Sequence, residues 1–336
     1  MSNEGRRRFA IIGSNSFSGA CFADYILSED PGAEVLGISR SPEPADCFLP
    51  YRRHGGQRFR FRRLDLNMDL NVVMQELDSF KPSYVVNFAA QGMVGQSWDA
   101  PEQWFATNCI SVMNLGIRLS ERDYLKRYVH ISSPEVYGSS NNETEDEAHY
   151  RPSTPYAASK AAGDMSLYPY YLNRGLPLIY TRATNVYGAY QLLYRIVPRT
   201  VLFIRMGRKI QLHGGGAAVK SYIHIKDVCD ATLRVARDGE NGQVYHISPD
   251  GGGISIRDLV ELICRRMGVE MEDHVEGIGE RFGQDAAYII NSEKIRNSLG
   301  WAPAISLEEG IDEVISWVGE HYDDLIKQPL DYIHKP

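Results

Sequence analysis

The chain has 336 residues, of which 43 % are hydrophobic and 24 % are charged, a composition that excludes a disordered or fibrous protein. Its formal net charge of −7 argues against a nucleic-acid partner, because binders of phosphate backbones carry excess positive charge. The five cysteines are widely spaced and lack metal-type spacing, which predicts reduced thiols and no metal centre. The first apolar run ends at Gly13 and is too short for a signal or membrane segment, so we expect a cytoplasmic protein without a membrane partner.

Short apolar runs alternate with amphipathic stretches in the first half of the chain. Residues 9–12, 34–38, 84–88 and 128–131 have the apolar character of strands that are covered on both faces, and residues 20–27 are typical of a helix. This alternation predicts an α/β fold with a Rossmann-like, doubly wound parallel sheet. Ligands of such sheets bind at the carboxyl ends of the strands.

Glycine- and proline-containing segments interrupt this alternation in the second half, around a predicted helix at residues 256–267. We therefore expect residues 1–183 to form an NAD(P)-binding domain that also carries the catalytic residues. Residues 184–336 are expected to form a smaller C-terminal α/β domain that mainly binds the substrate. Because residues 245–247 still have a strand pattern, we expect the chain to cross back to the first domain at about residues 220–248.

The first predicted strand runs directly into a glycine-containing turn and then into a helix, the order found in dinucleotide sites. Gly13 permits a tight turn, Gly19 permits close helix–strand packing, and the N–H groups at the helix start can hold a pyrophosphate. Ser16 replaces the middle glycine of the usual pattern; it is bulkier but can donate a hydroxyl to phosphate. A plain βα turn is the alternative interpretation of this motif alone. The predicted cofactor contacts here are Gly13, Asn15, Ser16, Phe17, Ser18 and Gly19.

The second predicted strand ends at Ser39-Arg40-Ser41, without the acidic residue that usually holds the ribose 2′-hydroxyl of NAD. Arg40 suits a 2′-phosphate, so the sequence favours NADP over NAD, with NAD as the alternative if Arg40 is only a solvated charge. Further cofactor contacts are predicted at the ends of the following strands. These residues are Ser39, Arg40, Asp65, Leu66, Phe88, Ala89 and Ala90.

Tyr156 and Lys160 lie four residues apart in a predicted helix, so they share one face. A phenol with a pKa near ~10 is a poor base at neutral pH, but a nearby ammonium favours the phenolate. Ser133 and Glu135 follow the strand at 128–131, on the ligand side of a parallel sheet, where they can act as a hydrogen-bond partner and an acid or base. The three signals at 13, 133 and 156 occur in the order of a reductase-type active site.

On these residues the chain resembles the extended short-chain dehydrogenase/reductase family and, within it, the nucleotide-sugar 4,6-dehydratases. The resemblance spans almost the whole sequence. Beyond the cofactor turn and the Tyr156–Lys160 pair, it rests on Asn87-Phe88-Ala89-Ala90-Gln91, Asn108, Ser133-Pro134-Glu135-Val136-Tyr137-Gly138, residues 184–191 and Arg281-Phe282-Gly283-Gln284-Asp285.

The resemblance implies a lyase that oxidises the 4-hydroxyl of an NDP-hexose, eliminates water across C5 and C6, and reduces C6 with the same tightly bound, recycled cofactor. Tyr156 would be the base for oxidation, Ser133 its hydroxyl partner, Lys160 the tuning cation and Glu135 the C5 base. Similar dehydratases usually have aspartate before that glutamate, as the acid for the departing hydroxyl. Pro134 stands there and cannot donate a proton, so Glu135 performs both transfers, a water substitutes, or the reaction differs.

The resemblance also implies further binding residues and an assembly. Asn108, Tyr156 and Lys160 would contact the cofactor, and Gln91, Ser133 and Pro134 would contact the sugar. The substrate's diphosphate would meet Asn185, Arg195, Lys220 and Arg281, where positive charge complements the two phosphates. A homodimer through two helices from each subunit is implied as well.

Three other functions remain open from the sequence. A nucleotide-sugar 4-epimerase would need Tyr156, Lys160 and Ser133 but no glutamate base. A decarboxylase of nucleotide-linked uronic acids also has a small residue before the glutamate, but it would need a cation for the sugar carboxylate. A non-catalytic NAD(P)-binding sensor would not need the intact Tyr156–Lys160 pair.

Overall fold

A parallel sheet of seven strands forms the centre of the described part of the protein, which in this computed structural model comprises residues 7–146, 149–279 and 288–335. The strands of this sheet are β1 (Arg8–Ile12), β2 (Glu34–Ser39), β3 (Phe59–Arg63), β4 (Tyr84–Asn87), β5 (Arg127–Ile131), β7 (Leu178–Ala183) and β12 (Val244–Ile247). Their order is β12-β7-β5-β4-β1-β2-β3. Since β1 lies between β2 and β4, the connections leave it in opposite directions and open a crevice above its carboxyl end.

Helices cover both faces of this sheet and make up much of the second half of the chain. They are α1 (Phe17–Glu29), α2 (Leu70–Phe80), α3 (Pro101–Phe105), α4 (Val112–Leu119), α5 (Pro155–Arg174), α6 (Ile196–Arg205), α7 (Ile225–Asp238), α8 (Ile256–Met267), α9 (Met271–His274), α10 (Glu293–Leu299), α11 (Leu307–Glu320) and α12 (Tyr322–Leu325). A π-helical segment, Ala106–Ser111, joins α3 to α4. One apolar cluster packs α1 and α7 on one face of the sheet, and another packs α2 and α4 on the opposite face.

Short strands outside the main sheet pair in twos. They are β6 (Ser140–Glu143) with β15 (Tyr288–Ile290), β8 (Asn185–Tyr187) with β11 (Tyr222–His224), β9 (Ile210–His213) with β14 (Val275–Ile278), and β10 (Val219–Lys220) with β13 (Ile254–Ser255). A third apolar cluster lies among α6, α8 and α11. This cluster gives the second half of the chain a core of its own.

The predicted fold class is confirmed. β12, from the second half of the chain, pairs in parallel with β7 in the main sheet. The helix predicted at 256–267 has those bounds, with Ser255 accepting a hydrogen bond at its start and Gly268 in the left-handed conformation at its end. The predicted division at residues 183 and 184 stays a prediction. Among the described residues, no helix is both long and apolar enough to span a membrane.

Candidate active site

The glycine-containing turn lies at the carboxyl end of β1, at the base of the crevice. Gly13 has a φ of 85°, and a Cβ on it would lie 2.5 Å from the backbone nitrogen of Ala89. A Cβ on Gly19 would lie 2.3 Å from the Gly13 carbonyl oxygen. Any side chain at either position would push β1, α1 and the end of β4 apart, so glycine is required here.

Ser16 caps α1, so its hydroxyl is already engaged within the protein. Its Oγ donates to the Gly13 carbonyl oxygen at 2.7 Å and accepts from the Gly19 N–H at 3.1 Å. The phosphate contact expected of this hydroxyl is therefore replaced by a capping role, which stabilises the turn. The start of α1 still offers the backbone N–H groups of Phe17 and Ser18 to an anion.

The ends of β1 and β2 are tied together through Asn15. Its backbone N–H donates to Ser39 Oγ at 2.9 Å, and its Nδ2 donates to the Ser41 carbonyl oxygen at 2.8 Å. Asn15 Oδ1 is buried without a hydrogen-bond partner. An orphaned buried acceptor beside a glycine turn fits a bound dinucleotide, whose hydroxyls would supply the missing donor. The residues present therefore fit the NAD(P) cofactor that this fold implies.

The other predicted cofactor residues follow β3 and β4 and differ in their burial and hydrogen bonds. Asp65 caps its own turn by accepting from the Asn67 N–H at 2.8 Å, and Leu66 is buried in the core. Phe88 and Ala89 follow β4 and are partly exposed, and Ala90 is exposed.

Asn108 is fully buried and uses both ends of its amide within the protein. It accepts from the Gln91 N–H at 2.9 Å and donates to the Gln91 carbonyl oxygen at 3.0 Å and to Ser159 Oγ at 2.9 Å. The structure therefore gives Asn108 a bracing role, which holds the segment after β4 against α5, rather than a free amide aimed at the crevice.

Capping positions α5, the helix that carries the predicted catalytic pair. Thr154 accepts from the Ala157 N–H at 3.1 Å, Pro155 occupies the first turn, and Gly175 ends the helix with a φ of 70°. Tyr156 and Lys160 lie in its first two turns, next to the end of β5. The helix start is thus anchored where the chemistry would occur.

Ser133, Pro134 and Glu135 follow β5 and form a short 3-10 turn, Pro134–Tyr137, facing α5. Ser133 Oγ accepts from the Glu135 N–H at 3.2 Å, and the Ser133 hydroxyl hydrogen-bonds the phenol of Tyr156. Pro134 is buried at the first position of the turn, where its fixed φ and missing N–H are tolerated. The turn therefore holds the Ser133 hydroxyl against the phenol, with Glu135 near enough for its charge to act on that phenol.

The pKa of the Tyr156 phenol lies above its ordinary value, although not all of its neighbours act in that direction. Burial raises its pKa, and the charge of Glu135 raises it further, because a negative neighbour disfavours the phenolate. The hydrogen bond from Ser133 and the positive charge of Arg195 lower it. The proximity of Glu135 and Arg195 to Tyr156 brings three predicted site residues together in one place.

Lys160 is buried and points its ammonium back to the sheet. Its Nζ donates to the Ile131 carbonyl oxygen at 2.7 Å, and burial lowers its pKa to about 8, although the carboxylate of Asp164 opposes that shift. Lys160 therefore remains mostly protonated at neutral pH, at the base of the catalytic helix.

A buried polar network behind Lys160 was not predicted from the sequence. Asp164, one helical turn after Lys160, accepts from Ser132 Oγ at 2.6 Å and from Arg182 Nη2 at 2.8 Å. Arg182 also hydrogen-bonds the hydroxyls of Tyr137 and Tyr150. The only sequence signal for this network is the i,i+4 spacing of Lys160 and Asp164, which places both charges on one face of the helix.

Three of the four residues predicted to bind the diphosphate, Asn185, Arg195 and Lys220, lie in or next to described elements of the second half of the chain. Arg195 is exposed and occupies the position before α6 without a side-chain capping bond, and Lys220 is partly exposed in β10. Asn185 donates its amide to the Ser221 carbonyl oxygen at 3.2 Å, which ties β8 to β11. Arg281, with the rest of the 281–285 motif, lies outside the described residues.

Other polar residues of the second half have structural contacts. Asp227 accepts from the backbone N–H groups of Ala304 and Ile305 at 3.0 and 3.2 Å, so its carboxylate holds the segment before α11 in place. His224 is buried and caps α7. Within residues 7–146, 149–279 and 288–335, no cluster of acidic, histidine or cysteine side chains has the arrangement of a metal site.

Comparisons with known proteins agree with this geometry. A family model described as GDP-mannose 4,6 dehydratase matches residues 11–314. A dTDP-glucose 4,6-dehydratase from Streptomyces niveus is 34 % identical over 236 residues, which cover 69 % of this chain and 69 % of the relative. The crystal structure of a dTDP-glucose 4,6-dehydratase from Bacillus anthracis in complex with NAD has a TM-score of 0.85 at 26 % identity and covers 94 % of this chain and 98 % of that one. The enzyme from Streptomyces venezuelae, with NAD and TYD bound, has a TM-score of 0.84 at 28 % identity with the same coverage.

Proposed function

The chain belongs to the GDP-mannose 4,6 dehydratase family, and from that premise we propose that it converts a nucleoside-diphosphate hexose to its 4-keto-6-deoxy product. It is a nucleotide-sugar hydro-lyase with NAD(P) as its cofactor. The observation that carries the assignment of roles is the convergence of Glu135 on the Tyr156–Ser133 pair. A simple oxidation at C4 needs only the tyrosine and the serine, whereas removal of a C5 proton needs an additional base.

A nicotinamide cofactor held by the turn at Gly13 and the start of α1 would supply the hydride acceptor for C4 and the hydride donor for C6. Tyr156 takes the proton of the 4-hydroxyl, with its phenolate stabilised by the Ser133 hydrogen bond and the Arg195 charge. Glu135 then removes the C5 proton, which the neighbouring ketone has made acidic. Pro134 cannot donate a proton, so we assign protonation of the departing 6-hydroxyl to Glu135 itself, once it carries the C5 proton. Glu135 then takes up a proton from solvent and delivers it to C5 as hydride adds to C6, while Tyr156 releases the 4-hydroxyl proton to solvent.

Incubation with a panel of nucleoside-diphosphate hexoses tests this function. A product that has lost the mass of one water, with the cofactor unchanged at the end, is the expected result. An unchanged mass with a new stereoisomer would instead identify a 4-epimerase, and loss of carbon dioxide from a uronic acid would identify a decarboxylase.

Pro134→Asp is expected to accelerate water loss by about tenfold, since general acids contribute ~10²–10⁴-fold where they act and the new group would share the task with Glu135. Burial of the position would raise the pKa of the new carboxyl, which favours its protonated, acidic form. Pro134→Asn is the matched control, because its amide cannot donate an acidic proton. Equal, large losses of activity in both variants would contradict the idea and show that proline shapes the turn.

For the cofactor we propose NADP in preference to NAD. Arg40 and Ser41 lie at the end of β2, and Arg63 at the end of β3 donates to the Arg40 carbonyl oxygen at 3.2 Å, so positive charge collects where the adenine ribose would lie. Residues 184–336 are proposed to bind mainly the sugar nucleotide. A cytoplasmic location is also proposed, which accords with five cysteines that are all free thiols.

A homodimer is proposed from apolar side chains that α5 and the segment before α4 leave in solvent. They are Phe105, Ile110, Met165, Tyr168 and Leu172, each between 37 % and 64 % exposed. The double substitution Met165→Glu and Leu172→Glu is expected to produce a folded monomer, because two charges per subunit would be buried in the interface. Sedimentation velocity measures this, with Lys209→Glu, an exposed charge change in the second half of the chain, as the control. A wild-type monomer, or a double variant that still dimerises, would contradict the proposed interface.

A further inference from the structure

The last described residues of the chain, 330–335, cross the mouth of the cofactor crevice; we call them the C-terminal strap. The Lys335 carbonyl oxygen accepts hydrogen bonds from Arg40 Nη2 at 2.7 Å and from Gln91 Nε2 at 2.8 Å. Arg40 follows β2 and Gln91 follows β4, and these two strands flank β1 in the sheet. The carbonyl therefore lies above the end of β1, where a dinucleotide binds in this fold.

One end of the strap is fastened to the second half of the chain. Arg199 of α6 donates to the Leu330 carbonyl oxygen at 2.8 Å and pairs with the Asp331 carboxylate at 3.0 Å. The ring of Tyr332 packs edge-on against Tyr194, with centroids 5.3 Å apart. This end is thus held at the sugar side of the crevice.

The other end is fastened to the first half. His334 stacks on Trp104 at 5.2 Å with an interplanar angle of 7°, and its Nε2 lies 2.6 Å from Gln103 Oε1. Trp104 is fully buried, with the strap as part of its cover. Because both of its ends are bound to the rest of the protein, the strap spans the crevice.

The strap also brings a cation to the ribose end of the site. Lys335 Nζ donates to Ser41 Oγ at 3.3 Å, next to Arg40. The acidic residue of the strap, Asp331, is paired with Arg199 at the opposite end. Lys335 and Arg40 together favour an anionic group at Ser41, as a ribose 2′-phosphate would be.

We infer that the C-terminal strap is the outer wall of the dinucleotide site, which holds the cofactor in place between turnovers and presents Lys335 to its adenosine ribose. The inference rests on the proposed function, since a cofactor that is restored within each turnover has no need to leave. Entry and release then require the strap to lift, so its contacts act mainly on the rate of release. The side chains that hold it, Arg40 and Gln91, are themselves predicted site residues.

Cofactor release from the intact protein tests the inference without turnover. Protein loaded with NADPH is mixed with excess NADP⁺, and the loss of protein-bound NADPH fluorescence gives the release rate. Deletion of residues 329–336 is expected to accelerate release by about tenfold or more, because the hydrogen bonds that hold the strap across the crevice are lost. Lys335→Ala keeps the carbonyl contacts and is expected to accelerate release of NADPH more than release of NADH. The control is Lys327→Ala, an exposed lysine just before the strap.

Melting curves establish that each variant is folded. Release from the deletion variant at the wild-type rate, or slower release, would overturn the inference; slower release would mean that the tail competes with the cofactor. If variants with unaltered or slower cofactor release still remove water from the sugar, the inference about the strap is wrong while the dehydratase function stands. If the wild-type protein binds neither NADP nor NAD, the inference and the proposed function are both wrong.

Discussion

Glu135→Gln is expected to lower the rate of water loss by about 10²–10⁴-fold, the range that general acid–base groups supply. Glutamine has nearly the shape of glutamate but cannot accept the C5 proton. The oxidation at C4 should survive, because Tyr156 and Ser133 remain in place. It should even become easier, since the negative charge of Glu135 raises the pKa of Tyr156 and the substitution removes that charge.

The variant therefore separates the two halves of the reaction. Rapid mixing with the sugar nucleotide should produce the absorbance of reduced nicotinamide and a 4-ketohexose that still carries its 6-hydroxyl. Glu121→Gln, a side chain with 62 % exposure on the surface, is the matched control and should behave as wild type. Water loss at the wild-type rate in Glu135→Gln would contradict the role assigned to this carboxylate.

Tyr156→Phe is expected to remove the first step as well, with a loss of about 10²–10⁴-fold in overall rate. The phenol is the acceptor for the 4-hydroxyl proton, and phenylalanine keeps the ring while deleting that acceptor. Unlike Glu135→Gln, this variant should show no reduced nicotinamide on mixing with the sugar. Tyr170→Phe, which removes the hydroxyl of a partly exposed tyrosine on the same helix, is the matched comparison. A Tyr156→Phe protein that still oxidises C4 would show that another group takes the proton.

Much of the fold is visible in the sequence because the parallel strands are apolar on both faces. Val85 and Val86 in β4 are fully buried, as is Val129 in β5, so their runs contrast clearly with the flanking helices. The helix α8 could be located because Ser255 and Gly268 mark its two ends. Strand order and the crevice then follow from the alternation of strands and helices.

The candidate site was only partly accessible from the sequence. Short motifs place Ser133, Glu135 and the Tyr156–Lys160 pair, because their spacing along local elements decides which face they occupy. Contacts between distant parts of the chain have no such signal. The pairing of Asp164 with Arg182 depends on how α5 packs on the sheet, and the strap has no periodic pattern, although Lys335 meets residues almost three hundred positions earlier.

Some local chemistry also differs from the expectation drawn from motifs. Ser16 uses its hydroxyl to cap α1, where it accepts from the Gly19 N–H and donates to the Gly13 carbonyl oxygen. Lys160 was expected to act directly on the phenol, yet its ammonium is held by the Ile131 carbonyl, and Arg195 supplies a positive charge that lowers the pKa of Tyr156. The contacts of Ser16 and Lys160 depend on the direction in which each side chain points after packing, and sequence spacing alone does not specify that direction.

The most direct test of the dehydratase mechanism uses a nucleoside-diphosphate hexose that carries deuterium at C4. The account predicts a product that has lost the mass of one water and carries the deuterium at C6, with the cofactor returned to its starting state. Retention of the label at C4 with inverted stereochemistry, or its complete loss to solvent, would contradict the account.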